Sequence, residues 1–394
     1  MAYSGGQSTT AALHWLKRSR GMRVVAVALN LGQGGDFDEV ANRAIEAGAD
    51  SVHAIDRRRT FVKQYCFKAL RASARYEGAY YLSAALSRPL IATELVAMAQ
   101  EEGARYIAHG APPKGNDQFR FECAVAALDP ALRSIAPMRE WSLQTREEVL
   151  GYLKQNNLPS GDSTERTYSS DRNLWGVRSS AGELEDPGLP VPESTYQITT
   201  SPAQAPDEPA DVELKFHQGE PVSLNGKKLQ PVELVEELEQ IAGAHGVGRF
   251  DTIEDRILGF KSREVYEAPA AHVLHIAHDE LEKLTLDAEF IEMKPMLAQR
   301  YAELVYDSRW FSRLRESLDA FFRESQQYVT GTVKLRLYKG SVTVQGRHSE
   351  FSIYDSEASR RHHSGGIPAA SIAGYLELRR LNQMTHSFKQ RPKF

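Results

Sequence analysis

From Met22 to Gln155, short apolar runs alternate with stretches of helical period. Met22–Asn30 (MRVVAVALN) reads as a strand. A helix follows from Asp36–Asp38, where acidic residues suit the positive helix start, and it stops at Gly48. Ser51–Ile55 reads as a short buried strand and Arg59–Leu70 as a helix. Ser83–Glu102 reads as a longer helix carrying Leu86, Leu90, Ile91, Leu95, Val96 and Met98. Arg105–His109 and Ser134–Met138 are apolar runs bounded by Gly and Pro, followed by helical segments Asp117–Ala127 and Thr145–Gln155. Such alternation predicts an α/β fold, a parallel sheet with helices on both faces.

The pattern then changes. Pro187, Pro190, Pro192, Pro202, Pro206 and Pro209 punctuate a polar stretch that forbids a continuous helix, so it is a domain boundary or a long arm. Val212–Phe216 and Pro221–Leu224 read as a hairpin about Gly219, Val232–Ala244 as a helix, and Val329–Gly346 as two strands joined at Lys339-Gly340. These predict an α+β second domain. Pro368–Phe394 reads as an amphipathic helix breaking into a basic tail, Lys389 to Lys393, packed on its own domain or on a neighbouring subunit. The expected boundaries are 1–165, 166–366 and 367–394.

Composition narrows the class. No apolar run approaches the roughly 18 residues of a membrane span, and MAYSGGQSTT has neither the basic nor the apolar region of a signal peptide. Two cysteines, Cys66 and Cys123, exclude a disulfide framework or a cysteine zinc cluster and suit a cytoplasmic protein. Lys and Arg number 48 against 52 Asp and Glu, a net charge of −4 without the basic footprint of a nucleic-acid binder.

Two segments could carry chemistry. Ser4-Gly5-Gly6 followed by Gln7-Ser8-Thr9-Thr10 opens a helix; glycine turns and a helix N-terminus suit a phosphate, although the same tripeptide serves ordinary turns. His109 to Glu122 (HGAPPKGNDQFRFE) follows a strand and opens a helix, the crevice where open α/β sheets bind ligands, or else a capped helix with solvated charges. Tyr76 to Tyr80, Ser87 to Pro89, Tyr168 to Leu174, His245 to Arg249 and Lys261 to Glu267 are further polar clusters. His272, His275 and His278 drift around a helix without matched carboxylates, and His362-His363 beside Arg360-Arg361 reads as a solvated loop, so no protein metal site is expected.

In their order and spacing these segments resemble the argininosuccinate synthase family. The resemblance rests on AYSGG at 2–6, NLGQG at 30–34, YEG at 76–78, RPLIA at 88–92 and HG…KGNDQ.RFE at 109–122. It continues through IAP.REW at 135–141, GELEDP at 182–187, HGVGR at 245–249, KSR.VYE at 261–267, YAELVY at 301–306 and VTGTVKL.LYKG at 329–340. It implies a Rossmann-like ATP-binding domain of the adenine nucleotide alpha hydrolase type with a pyrophosphate loop, an α+β synthetase domain and a C-terminal oligomerisation helix in a homotetramer. It implies Mg²⁺ with ATP, small-molecule substrates, and no nucleic-acid or membrane partner. In the reaction it implies, the ureido oxygen of citrulline attacks the α-phosphate of ATP and releases pyrophosphate; the amine of aspartate then displaces AMP.

Carried over by position, Ala2, Tyr3, Ser4, Gly5, Gly6, Ser8, Thr9 and Thr10, with Leu29, Gly110 and Gly115, are expected around ATP. Tyr80, Asn116, Arg120, Ser169, Glu254 and Tyr266 are expected around citrulline, and Pro112, Asn116 and Asp117 around aspartate. Asn116, Asp117 and Arg120 are the expected catalytic groups. Departures from the family pattern gather here. Gln7 and Ser8 replace Leu and Asp, Pro112-Pro113 replaces Thr-Gly, and Ala84 and Ala85 replace hydroxyl residues. Arg178 replaces Ser and Glu264 replaces Gly. Met1 stands directly before Ala2 where the family has more of an apolar strand, so either a short central strand or a truncated start is expected. The expectation is an argininosuccinate-forming ligase, with a paralogue of altered acceptor or amine, or a non-catalytic one, as alternatives.

Overall fold

A computed structural model describes residues 1–143, 145–159, 168–359 and 367–390. The chain divides into two compact units, Met1–Phe351 and Ser352–Phe394.

The first unit opens on the predicted alternation. Val25–Asn30 pairs in parallel with Ser51–Asp56, and Tyr106–Ala108 pairs in parallel with Arg133–Ile135. Residues 1–3 run between the two pairs. Ala2 bridges Val27 in parallel, the Tyr3 N–H donates to the Val27 carbonyl at 3.0 Å, and the Ala2 N–H donates to the Ala108 carbonyl at 2.8 Å. Residues 1–3 thus supply a rung bonded to both pairs. The helix Gln7–Arg20 follows it at once, buries Ala11, Ala12, Leu13 and Leu16, and ends on the left-handed Gly21. The helix Phe37–Glu46 starts where the acidic residues predict, with the Asp36 side chain accepting the Asp38 N–H at 2.8 Å.

One predicted helix is interrupted. Arg58–Phe61 and Phe67–Arg71 are α-helical, but Val62–Cys66 between them is a π-turn. The extra residue in that turn lets Phe61, Val62, Tyr65, Cys66, Phe67 and Leu70 all reach the core, which a strict 3.6 period would not allow.

The rest of the first unit is built on two antiparallel sheets. Ala210–His217 and Gly331–Tyr338 are central in the five-stranded one and turn Val212, Leu214, Phe216, Val333, Leu335 and Leu337 inward. Helices Pro231–Ala244 and Pro269–Thr285 add Leu234, Val235, Leu238, Val273, Leu274 and Leu281 to the same core. The four-stranded sheet has the order Arg249–Asp255, Lys261–Glu267, Gly176–Ser180, Ser169–Asn173. The proline-rich stretch is an arm on this unit: the N–H groups of Gln197 and Ile198 and the Thr199 hydroxyl donate to the Glu267 carboxylate at 2.7, 2.9 and 2.7 Å.

In the second unit the helix Ala369–Gln390 carries no buried residue, and Ile372, Tyr375, Leu376, Leu381, Met384 and Phe388 are exposed. The histidine pair at 362–363 and the tail beyond Gln390 lie outside the described residues.

Candidate active site

The phosphate-type loop is assembled from backbone and neutral hydroxyls. Gly5 adopts φ +75° with Val40 3.2 Å from where a Cβ would sit, so only glycine makes this turn without strain. No side chain caps Gln7–Arg20, which leaves the first N–H groups of its opening turn facing the loop. The Ser4 and Thr9 hydroxyls lie 3.1 Å apart, and Thr9 Oγ1 donates to the Gly6 carbonyl at 3.0 Å. Across the crevice a Cβ on Gly110 would lie 2.8 Å from Thr9 Cγ2, so the second loop approaches the first as closely as glycine permits. Gly115 closes that loop with an N–H bond of 2.9 Å to the Pro112 carbonyl. Pro112 itself is exposed, while the Pro113 carbonyl accepts from the Gln118 side chain. Thr10 is turned inward to the Tyr3 hydroxyl at 2.9 Å, and the Leu29 carbonyl accepts from Gln33 at 2.6 Å.

Beside this loop lies a cluster of opposite character. The helix Asn116–Leu128 presents Asn116, Asp117 and Arg120 in its first turns. Asn116 Nδ2 donates to the Tyr306 hydroxyl at 2.8 Å, and its Oδ1 accepts the Ile257 N–H at 3.2 Å. Arg120 reaches the Tyr306 carbonyl at 3.1 Å and Asp117 at 2.7 Å, while its Nη2 is buried without a hydrogen-bond partner. Glu254 accepts from Tyr266 at 2.6 Å and from Tyr306 at 2.7 Å. Tyr80 stacks on Tyr266 at 4.3 Å, and Tyr76 on Tyr306 at 3.6 Å.

The Tyr80 hydroxyl also accepts the N–H groups of Ala84 and Ala85, at 2.9 and 3.2 Å. It caps the helix Ser83–Glu101, whose own cap position, Leu82, is left-handed and offers no side-chain acceptor.

Charges in the cluster balance. Among the described residues four guanidiniums, Arg88, Arg120, Arg178 and Arg256, stand with four carboxyl groups, Asp117, Asp171, Glu254 and Glu264; Glu254 alone is held by tyrosines rather than by an arginine. Arg88 bonds Asp117 at 2.9 Å and also Asp171; Arg178 and Arg256 bond Glu264. Burial opposes ionisation of Asp117, but the guanidiniums of Arg88, Arg120 and Arg178 outweigh it and hold its carboxyl far below the usual range. Glu254 moves the other way: burial, and then the charge of Glu264, raise its pKa against the hydrogen bonds from its two tyrosines.

The sequence-derived candidates therefore fall into two groups that the fold sets side by side. Tyr80, Asn116, Asp117, Arg120, Glu254 and Tyr266 converge. Ser169 is exposed, two residues along its strand from Asp171 and on the same face. Tyr76, Arg88 and Asp171 lie in polar clusters that the sequence singles out without assigning them a role; sequence reasoning missed Tyr306 and the connection of Arg178 to Glu264. Tyr306 sat inside a quoted motif, which was the available signal; no spacing rule joins 116 to 306.

The histidine helix does not form a second centre. His272 bonds the Tyr81 hydroxyl at 2.7 Å and His278 bonds Gln326 at 2.7 Å; burial lowers their pKa values to about 4 and about 3. His278, Asp279 and Glu282 come together, but the Lys294 ammonium ion-pairs with Glu282 and competes with any cation there.

A glycine-cradled helix start at the end of a parallel sheet, facing an enclosed set of paired guanidiniums and carboxylates, defines a nucleotide-binding α/β protein with an amino-acid pocket. Residues 1–159 match the arginosuccinate synthase N-terminal HUP domain, and residues 168–386 match the arginosuccinate synthase C-terminal domain. The chain is similar to the argininosuccinate synthase of Chlorobium limicola, 44% identical over 98% of this chain and 97% of that protein. It is 49% identical to that of Pelotomaculum thermopropionicum over 91% and 90% of the two chains. With that of Symbiobacterium thermophilum the identity is 46%, over 100% of this chain and 98% of the other. The chain belongs to the argininosuccinate synthase family, a family of ligases.

Proposed function

We propose that the chain condenses citrulline with aspartate at the expense of ATP, forming argininosuccinate, AMP and pyrophosphate. The observation that carries this reading is the convergence of Asn116, Asp117, Arg120, Glu254 and Tyr266 beside an uncapped, glycine-turned helix start. The unpartnered Nη2 of Arg120 is a buried donor suited to a substrate carboxylate. Glu254, whose burial disfavours its charge, gains a partner when a substrate ammonium arrives. Asp117, held ionised by three arginines, suits the ammonium of the second amino acid. Holding the ureido oxygen and the amine on opposite sides of Asn116 supplies orientation, and the helix start supplies fixed positive dipoles for the phosphates.

Mg²⁺ fits this loop in one manner. Ser4, Ser8 and Thr9 offer neutral oxygens and no carboxylate, so the donor set suits an ion carried in on the nucleotide's phosphates, whose charge it neutralises, rather than a dedicated protein cage. Pro112 and Gly115 form the outer wall, and Ser169 lies at the rim of the citrulline side. We place the enzyme in the cytoplasm, consistent with free Cys66 and Cys123, and assign it a homotetramer in which the apolar residues of Ala369–Gln390 are covered by other copies. Incubation with ATP, Mg²⁺, citrulline and aspartate, read by mass spectrometry, tests the reaction; ATP consumption without argininosuccinate would sink it. Light scattering that gives a single copy would remove the tetramer.

A further inference from the structure

The four-stranded sheet turns one unusually ionic face to the site. Its antiparallel register sets Asp171 opposite Arg178 and Arg178 opposite Tyr266, while Glu264 and Ser262 follow Tyr266 at intervals of two and Glu254 lies opposite Ser262. Directly opposed and alternate residues share a face, so these side chains form one floor beneath the acceptor pocket. Arg178 Nε donates to Glu264 Oε2 at 2.7 Å and Nη2 to Oε1 at 3.1 Å. Oε1 also accepts from Arg256 at 3.0 Å and from Ser262 at 2.9 Å. Glu264 is completely buried, and the Arg178 side chain is 15% exposed.

Glu264 already accepts four hydrogen bonds and has no exposed surface, so the pair does not bind substrate through it. Nor is stability a sufficient reason for it, because a buried ion pair is commonly no better than apolar groups of the same volume. What the pair does supply is bulk of fixed shape beside Tyr266 and Glu254 on the same face. We propose that Arg178 and Glu264 act as a single specificity-determining unit that closes the floor of the acceptor pocket and limits the length of the amino acid that enters it. This rests on the acceptor reading of the preceding subsection. The dependence between them is unequal: removing Glu264 strands the Arg178 and Arg256 guanidiniums, whereas removing Arg178 leaves Glu264 on Arg256 and Ser262.

The test compares wild type, Arg178→Ser, Glu264→Gly, the double variant Arg178→Ser/Glu264→Gly, and the volume-preserving double Arg178→Met/Glu264→Met. Melting temperature is measured, with kcat/KM for citrulline and for its homologue one methylene longer. Glu264→Gly and both doubles, which strand Arg256 without its carboxylate, are expected to melt about 5–10 °C below wild type, and Arg178→Ser, which leaves Glu264 on Arg256, falls by less. The ratio of kcat/KM for the longer homologue to that for citrulline is expected to rise at least about tenfold in the Ser/Gly double, the size of a one-methylene effect. It stays within about twofold of wild type in the Met/Met double, which keeps the volume. A folded Ser/Gly double with an unchanged ratio overturns the proposal, as does a Met/Met double whose ratio rises equally; if the Ser/Gly double does not fold, Arg178→Ser, which keeps Glu264 on Arg256, is read in its place, and an unchanged ratio there overturns it. The same ratio taken from calorimetric dissociation constants reads the floor without turnover. Lack of turnover with citrulline in every form would therefore overturn the ligase reading and not this one.

Discussion

The phosphate-type loop and the amino-acid cluster face each other across one crevice and are built on opposite principles. The loop uses backbone N–H groups and neutral hydroxyls, leaves its helix uncapped, and depends on glycine at 5 and 110 for shape. The cluster uses full charges and phenols, and nearly all of its donors and acceptors are engaged with one another. A site of the first kind receives its ligand without rearranging; one of the second kind must exchange internal partners for substrate groups. Binding at the two sites should therefore fail in different ways when residues are changed.

The largest break is expected at Asp117. Asp117→Asn leaves Arg88 and Arg120 facing a neutral amide inside the protein; kcat/KM for both amino acids should fall about a thousandfold, and stability by about 3 kcal/mol, with the KM for ATP little changed. The pH dependence follows from the depressed pKa. The stabilisation from Asp117 is complete above the unfolded-state value, about pH 4, and is lost as pH falls through the lower folded-state value. Denaturant midpoints of wild type and Asp117→Asn should thus differ at neutral pH and converge in strong acid. Next in size is Gly110→Ala, whose Cβ meets Thr9: the KM for ATP should rise about thirtyfold while calorimetric citrulline affinity stays within about twofold, the reverse of the Asp117 pattern.

Tyr306→Phe sharpens the comparison within the cluster. It removes one hydrogen bond to Glu254 and the acceptor of Asn116, so kcat/KM for citrulline should drop about tenfold. Losing that bond also raises the Glu254 pKa further, and the acidic limb of the citrulline kcat/KM profile should move to higher pH. The smallest effect is expected at Tyr76→Ala, which removes a ring stacked on Tyr306 and an exposed hydrogen bond to the Asp255 carbonyl: a loss of about threefold in citrulline affinity by calorimetry.

Much of the nucleotide half is legible in the sequence because its strands are apolar runs and several of its helices start on acidic residues; the helices read from Asp36 and from Thr145 begin there, each capped by that side chain. The sheet beneath the amino-acid site is far less legible. Ser169–Asn173, Arg249–Asp255 and Lys261–Glu267 are strands whose site-facing positions are mostly polar or charged, so no period-two apolar signal marks them. Function overrides pattern there. The sequence resemblance finds Asn116, Asp117, Arg120, Glu254 and Tyr266 without explaining why they meet. Tyr306, on a helix nearly two hundred positions from Asn116, is brought in only by tertiary packing. The π-turn at Val62–Cys66 is similarly invisible, since a helix period assumes that no residue is inserted.

The balance of guanidiniums and carboxylates in the cluster has a consequence for how the enclosure responds to salt. Citrulline enters as a dipolar molecule without net charge, into a space whose own charges already cancel, so no ion need follow it in or be expelled. Its affinity should therefore remain level as ionic strength rises through the range in which the screening length shrinks from about 30 to about 8 Å. Nucleotide capture at the exposed loop, by contrast, takes place in solvent that screens it. Across a salt titration the two substrates part company, and the enclosed one marks time.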